Sequence, residues 1–112
     1  MLRDKILHTL PPLFPVVVPE WGETVWVKAL SGADFAKVRA NTHKLPQDVQ
    51  HVVAEIWFAL LSMCDEHGQR LMADTDYDAL AAQPATAINR VAKAAVQANG
   101  LDAEGVEHAK NG

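Results

Sequence analysis

The run Asp74-Thr75-Asp76-Tyr77-Asp78 sets carboxylates at alternate positions, as the opening of a calcium-binding loop does. The pattern then breaks. Such a loop needs glycine at its sixth position and a bidentate glutamate at its twelfth, and Ala79 and Ala85 stand there. Acidic residues at a helix start favour the positive end of the helix dipole, and that reading accounts for the run without a metal.

Cys64 and His67 stand three apart, and His51 falls on the same apolar-periodic stretch as Cys64, which raises a thiolate-imidazole pair or a partial metal site. A structural zinc site normally takes four protein ligands, and no second cysteine exists here. The spacing is accounted for by a buried thiol beside a histidine at a helix end. His8, His43 and His108 share no spacing of a catalytic group, and the chain holds no phosphate-binding glycine loop, nucleophile elbow or zinc-protease helix. Neither catalytic residues, a metal nor a cofactor is therefore expected. Pro12-Leu13-Phe14-Pro15 satisfies a loose PxxP pattern but reads as a connector. Trp21, beside Gly22 at a turn, is either folded back on a sheet or left as a contact anchor.

The elements that hold these residues follow from periodicity. A short helical pattern with Leu2 and Ile6 on one side ends at Pro11-Pro12, giving an N-terminal helix and Pro-rich connector over 1–15. Val16 to Val18, then Pro19-Glu20-Trp21-Gly22, then Thr24 to Lys28 predict a β-hairpin over 16–30, with Pro15 and Pro19 bounding its first strand. From 31 to 101 the pattern is helical. Ser31 to Asp34 is a capping-box-like start, and Thr75 to Asp78 is a second one. Pro46 opens the main helix, where Val49, Val52, Val53, Ile56, Trp57, Leu60, Leu61 and Cys64 make one apolar stripe up to a Gly68 cap. Trp26 and Trp57 fit packing of the hairpin over that helix.

Pro84 opens the last helix, with Ile88, Val91, Ala92, Ala95 and Val96 on its stripe and Asn99-Gly100-Leu101 as its ending. Nine alanines lie from Ala79 to Ala98, and alanine buries little apolar area, so such a thin stripe calls for close approach to large neighbours or for a partner. Residues 102–112 read as a flexible tail.

The chain of 112 residues is sized for one domain, of α+β class, predominantly α-helical, with the hairpin packed on the central amphipathic helix. Its net charge of -4 opposes non-specific attraction to nucleic acid or anionic lipid. The longest strongly apolar run, Ile56 to Leu61, is too short to span a bilayer, and Arg3, Asp4, Lys5 and His8 interrupt any signal-peptide core, so a cytoplasmic location is expected. A single cysteine agrees with a reducing compartment.

In order along the chain, Leu2-Arg3-Asp4-Lys5-Ile6-Leu7, Val18-Pro19-Glu20-Trp21-Gly22 with Val25-Trp26-Val27, and Leu30-Ser31-Gly32-Ala33 are followed by Cys64-Asp65-Glu66-His67-Gly68-Gln69-Arg70-Leu71, the Asp76 to Leu80 helix and Asn99-Gly100-Leu101. This series resembles the tail assembly chaperones of long-tailed phages and prophages. The Pro-rich Leu10 to Pro15 stretch departs from that family's more polar connector.

The resemblance implies a non-catalytic protein of the bacterial host cytoplasm that coats the tape measure protein, helps recruit tail tube subunits, self-associates head to tail or in a spiral, and is absent from the mature virion. It also implies a second, frameshifted product. Ala109-Lys110-Asn111 can be encoded by GCA AAA AAC, which contains a slippery heptamer. The contrasting expectations are a structural virion subunit and a small antitoxin- or repressor-like binding module. Glu20 and Trp21 at the turn, with Ile88 and Val91 on the last helix, are the residues expected to meet a protein partner.

Overall fold

The computed structural model describes residues 1–100, so Leu101, the 102–112 tail and the Ala109-Lys110-Asn111 motif lie outside the described residues. Among the described residues, an α+β domain brings five helices together with a three-stranded antiparallel sheet ordered β1-β2-β3. The hairpin joins β1 (Phe14–Val18) to β2 (Glu23–Val27), pairing Phe14 with Val27 and Val16 with Val25. Gly22, at φ 63°, supplies the left-handed residue of its turn. Strand periodicity turns Val18, Val25 and Val27 inward, where they are at most 8% exposed.

Pro15 lies within β1 rather than bounding it. β1 is a sheet edge, where a missing amide donor is tolerated. Trp26 pairs with Pro15, and both alternate with the inward valines, so they occupy the outer face of the sheet. Trp26 is therefore not packed over the main helix. Trp57 instead stacks on Tyr77, with centroids 4.9 Å apart and planes inclined by 27°.

On the helical side, Ser31 caps α2 (Gly32–Thr42): its Oγ accepts from the Asp34 amide at 3.1 Å. The carbonyl of Pro46 accepts from the Val49 and Gln50 amides and starts α3 (Gln47–Ser62), as that of Pro84 starts α5 (Ala85–Ala98). Between them sits the short α4 (Tyr77–Ala81), preceded by a 3-10 turn over Asp74–Asp76. The cap here lies two residues before the sequence expectation: Asp76 Oδ2 accepts from the Ala73 amide at 2.8 Å, and no Thr75–Asp78 box forms.

The main helix ends two residues early. After Ser62 the chain extends as β3 (Met63–Cys64), which pairs Met63 with Val27 and Cys64 with Trp26 and satisfies the second side of β2. Gly68, at φ 82°, is thus the left-handed residue of a tight turn after a strand, not a helix cap. Asp65 Oδ1 braces that turn, accepting from the His67 and Gln69 amides at 2.8 and 2.9 Å.

The hairpin lies chiefly on α5, and α3 packs on α5 and on α2. One continuous core joins them, with Leu60, Leu61, Met63, Val18, Val27 and Val91 at its centre. Each such side chain contributes roughly 1.5–3 kcal/mol by leaving water. Asn99 closes α5: its Nδ2 donates to the Ala95 carbonyl, and its Oδ1 accepts from the Leu30 amide at 2.9 Å, tying the end of the last helix to the segment after the hairpin.

Candidate protein-interaction surfaces

The chemistry-bearing runs are committed to structure. Asp74 receives Lys37 Nζ at 2.9 Å and Arg70 on its other oxygen, and those two cations hold its carboxyl below the usual range. The carboxylate that would open a calcium loop is therefore a clamp between α2 and the segment before α4. Cys64 is wholly buried in β3, and burial pushes its thiol up. The His67 side chain stands 77% exposed in the turn, and His51 is exposed on α3, so the spacing that suggested a Cys-His pair does not produce one. Among the described residues no group of three or more His, Cys, Asp or Glu side chains is placed to hold a metal. The PxxP stretch runs into β1 with Phe14 and Pro15, while Leu13 leans on Gly68.

The hairpin turn is fastened to the helices at two points. Arg90 Nε donates to both Glu20 oxygens, at 2.9 and 3.2 Å, and hydrogen bonding from Thr86, from the backbone and from Arg90 lowers the Glu20 carboxyl. Next to it, Trp21 is half-buried against the core and its Nε1 donates to Gln83 Oε1 at 3.0 Å. Glu20 and Trp21 thus share one corner. Ile88 and Val91 are 6% and 0% exposed, and both belong to the core under the sheet. Helical periodicity marked them correctly as apolar, but that stripe is spent on β1, β2 and α3 rather than shown to solvent.

The packing of α5 against α3 is incomplete along one edge of that stripe. Ala54 and Phe58 of α3 face Ala92 and Val96 of α5 across a trough of about 540 Å³, rimmed by His51, Glu55, Lys93 and Gln97. Its origin is compositional: Ala54 and Ala92 are too small to fill the space between two helices. Phe58 is steadied from behind by an edge-on contact with Phe35 at 5.6 Å. A second trough, of about 440 Å³, runs along Trp21, Val25, Met63, Met72 and Leu80. Trp21 is one of its walls, and two methionines give it adaptable lining.

Further apolar side chains are exposed at the N-terminus, as are Val17 on the outer strand and Val52 on α3. α1 (Leu2–Leu7) has no buried residue, and Leu2, Ile6, Leu7 and Leu10 are 60–86% exposed. The alanine-rich composition called for close approach to large neighbours or for a partner, and Phe58 is such a neighbour at the trough. Apolar floors, charged rims and no convergent ionisable cluster can bind a helix or strand of another polypeptide by exclusion of water.

No protein-family model matches the sequence, and no curated protein matches it. The fold is similar to the solved structure of the bacteriophage HK97 tail assembly chaperone, with a TM-score of 0.61 and 18% identity, over 89% of this chain and 96% of that one.

Proposed function

We propose that this chain is a non-catalytic tail assembly chaperone, acting in the bacterial cytoplasm on the tape measure protein of a long-tailed phage or prophage. The observation that carries the reading is a fold shared over nearly the whole of both chains with a tail assembly chaperone. The troughs supply a physical means. A tape measure protein is a very long helical chain whose apolar stripe aggregates when unpartnered, and a trough with an apolar floor and a charged rim takes up such a stripe reversibly. In this reading the protein also recruits tail tube subunits, associates with copies of itself, and leaves before the particle is complete.

Co-expression with the tape measure gene of the same cluster tests the proposal. The tape measure product should move from the insoluble to the soluble fraction and co-purify with this chain, and purified particles should contain the tape measure without it. A tape measure that stays insoluble, or this chain in stoichiometric amount in particles, would show that the role is different.

A further inference from the structure

The last helix ends on the wall of the α3–α5 trough. Ala92 and Val96 of that wall stand four apart on one face of α5, and Gly100 follows at the same spacing. Gly100, at φ 70°, donates its amide to the Gln97 carbonyl at 3.0 Å, which is one of the two bonds of a Schellman turn. In such a turn the residue after the glycine donates to the third residue before the cap and packs its apolar side chain there. With Asn99 as the cap, those two residues are Leu101 and Val96. Val96 is half-buried and lines the trough, and Asn99 fixes the exit of the chain, since its side chain holds both the Ala95 carbonyl and the Leu30 amide.

We propose that the segment beginning at Leu101 folds back into the α3–α5 trough of its own chain and covers it until a partner displaces it. The length agrees: Leu101 to Gly105 spans about 13 Å when extended, and the trough follows α3 from His51 to Phe58, about 10 Å. The pattern agrees as well. Leu101 and Ala103 alternate with Asp102 and Glu104, so an extended segment turns its apolar pair to the floor of Ala54, Phe58, Ala92 and Val96 and its carboxylates outward. Lys93, on the α5 side of the rim, is the cation those carboxylates meet, whereas Glu55 stands on the α3 side.

The tether decides the occupant. Leu101 follows Gly100 directly, so its local concentration at Val96 exceeds that of any free peptide. Its side chain also supplies the volume that Ala54 and Ala92 leave unfilled. The cover rests on the reading of this trough as a seat for the tape measure protein, and it gives that seat a regulation. A covered trough does not offer its apolar floor to chance contacts, and a true partner binds with an affinity lowered by the fraction of chains that are open.

The full chain, its Leu101→Ser and Ala54→Arg variants and the double variant test this, with Leu101→Met as the conservative control. Losing the leucine contact should raise the open fraction about tenfold. Fluorescence of the apolar dye anilinonaphthalene sulfonate and affinity for the tape measure protein should both rise by that factor in Leu101→Ser. Ala54→Arg fills the trough from its floor, so the double variant should lose the dye gain, and Leu101→Met should match the wild type. Melting temperatures near wild type show that the folds are intact.

A Leu101→Ser protein as dark as the wild type, or a dye gain that survives Ala54→Arg, overturns the docking. Neither measurement contains the partner, so the chaperone reading then stands. A dye gain without tighter partner binding overturns the competition instead, and with it the assignment of this trough to the tape measure protein.

Discussion

Trp21 Nε1 donates to Gln83 Oε1 at 3.0 Å, joining the hairpin turn to the α4–α5 connection across 62 residues of sequence. The neighbouring Glu20–Arg90 pair makes a second link from the same turn to α5. A two-stranded hairpin is marginal in water, so these ties, with the valines beneath, hold the sheet on the helices. They also set the wall of the second trough.

Trp21→Ala is accordingly expected to cost about 1–3 kcal/mol, since a half-buried indole loses both packing and a bond. Gln83→Ala should cost about 0.5–1.5 kcal/mol, and the double variant should fall short of the sum by about 0.5 kcal/mol or more. Urea unfolding of the four proteins measures this cycle. Strict additivity, or a Trp21→Ala protein as stable as wild type, would identify Trp21 as a contact residue with no structural role.

Leu60 and Val91 are both wholly buried in the core. Leu60→Ala should cost about 2–5 kcal/mol, a large part of the roughly 5–15 kcal/mol that holds a domain of this size together. Val91→Asp should leave the chain unfolded at 25 °C by circular dichroism, because the aspartate has no partner there. A folded Val91→Asp protein that had lost only partner binding would return Val91 to the interaction surface.

Local chemistry explains which features were legible beforehand. Ser31, Pro46, Pro84 and Asn99-Gly100 act within one or two turns of their own position, so their roles as helix starts and stops can be read from sequence. The end of α3 cannot, because Met63 and Cys64 continue its apolar stripe; they leave the helix only because β2, far away in sequence, needs a partner on its second side. Trp26 was misplaced because its two faces look alike in an alternating strand until the helices cover one of them. Turn chemistry points to Trp21 and Glu20 at the hairpin corner, where they tie the turn to the helices, whereas the trough depends on which alanines of two distant helices face each other.

Stability should fall in acid. Hydrogen bonds and ion pairs lower the carboxyls of Asp74, Asp65 and Glu20. Groups lowered by folding contribute stability that is fully present above their unfolded values, about pH 4, and is lost as pH falls through the folded ones. The melting temperature should therefore be level above about pH 5 and drop below about pH 4. Asp74→Asn should flatten that drop, and added salt should weaken the clamp because its members are partly exposed. An unchanged acid limb in Asp74→Asn would mean that Lys37 and Arg70 do not hold Asp74 in solution.

The alkaline side has its own pair. Burial raises the Cys64 thiol and the Tyr77 hydroxyl, so each contributes stability that is complete below its unfolded value and declines as pH rises through the folded one. The native thiol should also be slow to react with an aromatic disulfide reagent at pH 8 and become fast only in denaturant, since the thiolate is the reactive form and Cys64 is 0% exposed. Rapid labelling of the folded protein would show that β3 opens readily. Cys64→Ser should keep the fold and lose the labelling entirely.

Three glycines make a matched test of the backbone. Gly22 and Gly68 sit at φ 63° and 82°, in the left-handed region, whereas Gly32 opens α2 at an ordinary helical position. No atom lies within 4 Å of an added Cβ at Gly22 or Gly32, and at Gly68 the nearest, Leu13 Cδ2 at 3.6 Å, is in ordinary contact. At none of the three does an added Cβ clash, so conformation decides the outcome. Gly22→Ala and Gly68→Ala should each lose about 1–2 kcal/mol, while Gly32→Ala should gain about 0.4–1 kcal/mol by restricting the unfolded chain. Denaturant midpoints order the three directly. If Gly68→Ala were neutral, the turn after β3 would not hold its left-handed residue in solution, and the bracing of that turn by Asp65 would have to be abandoned with it.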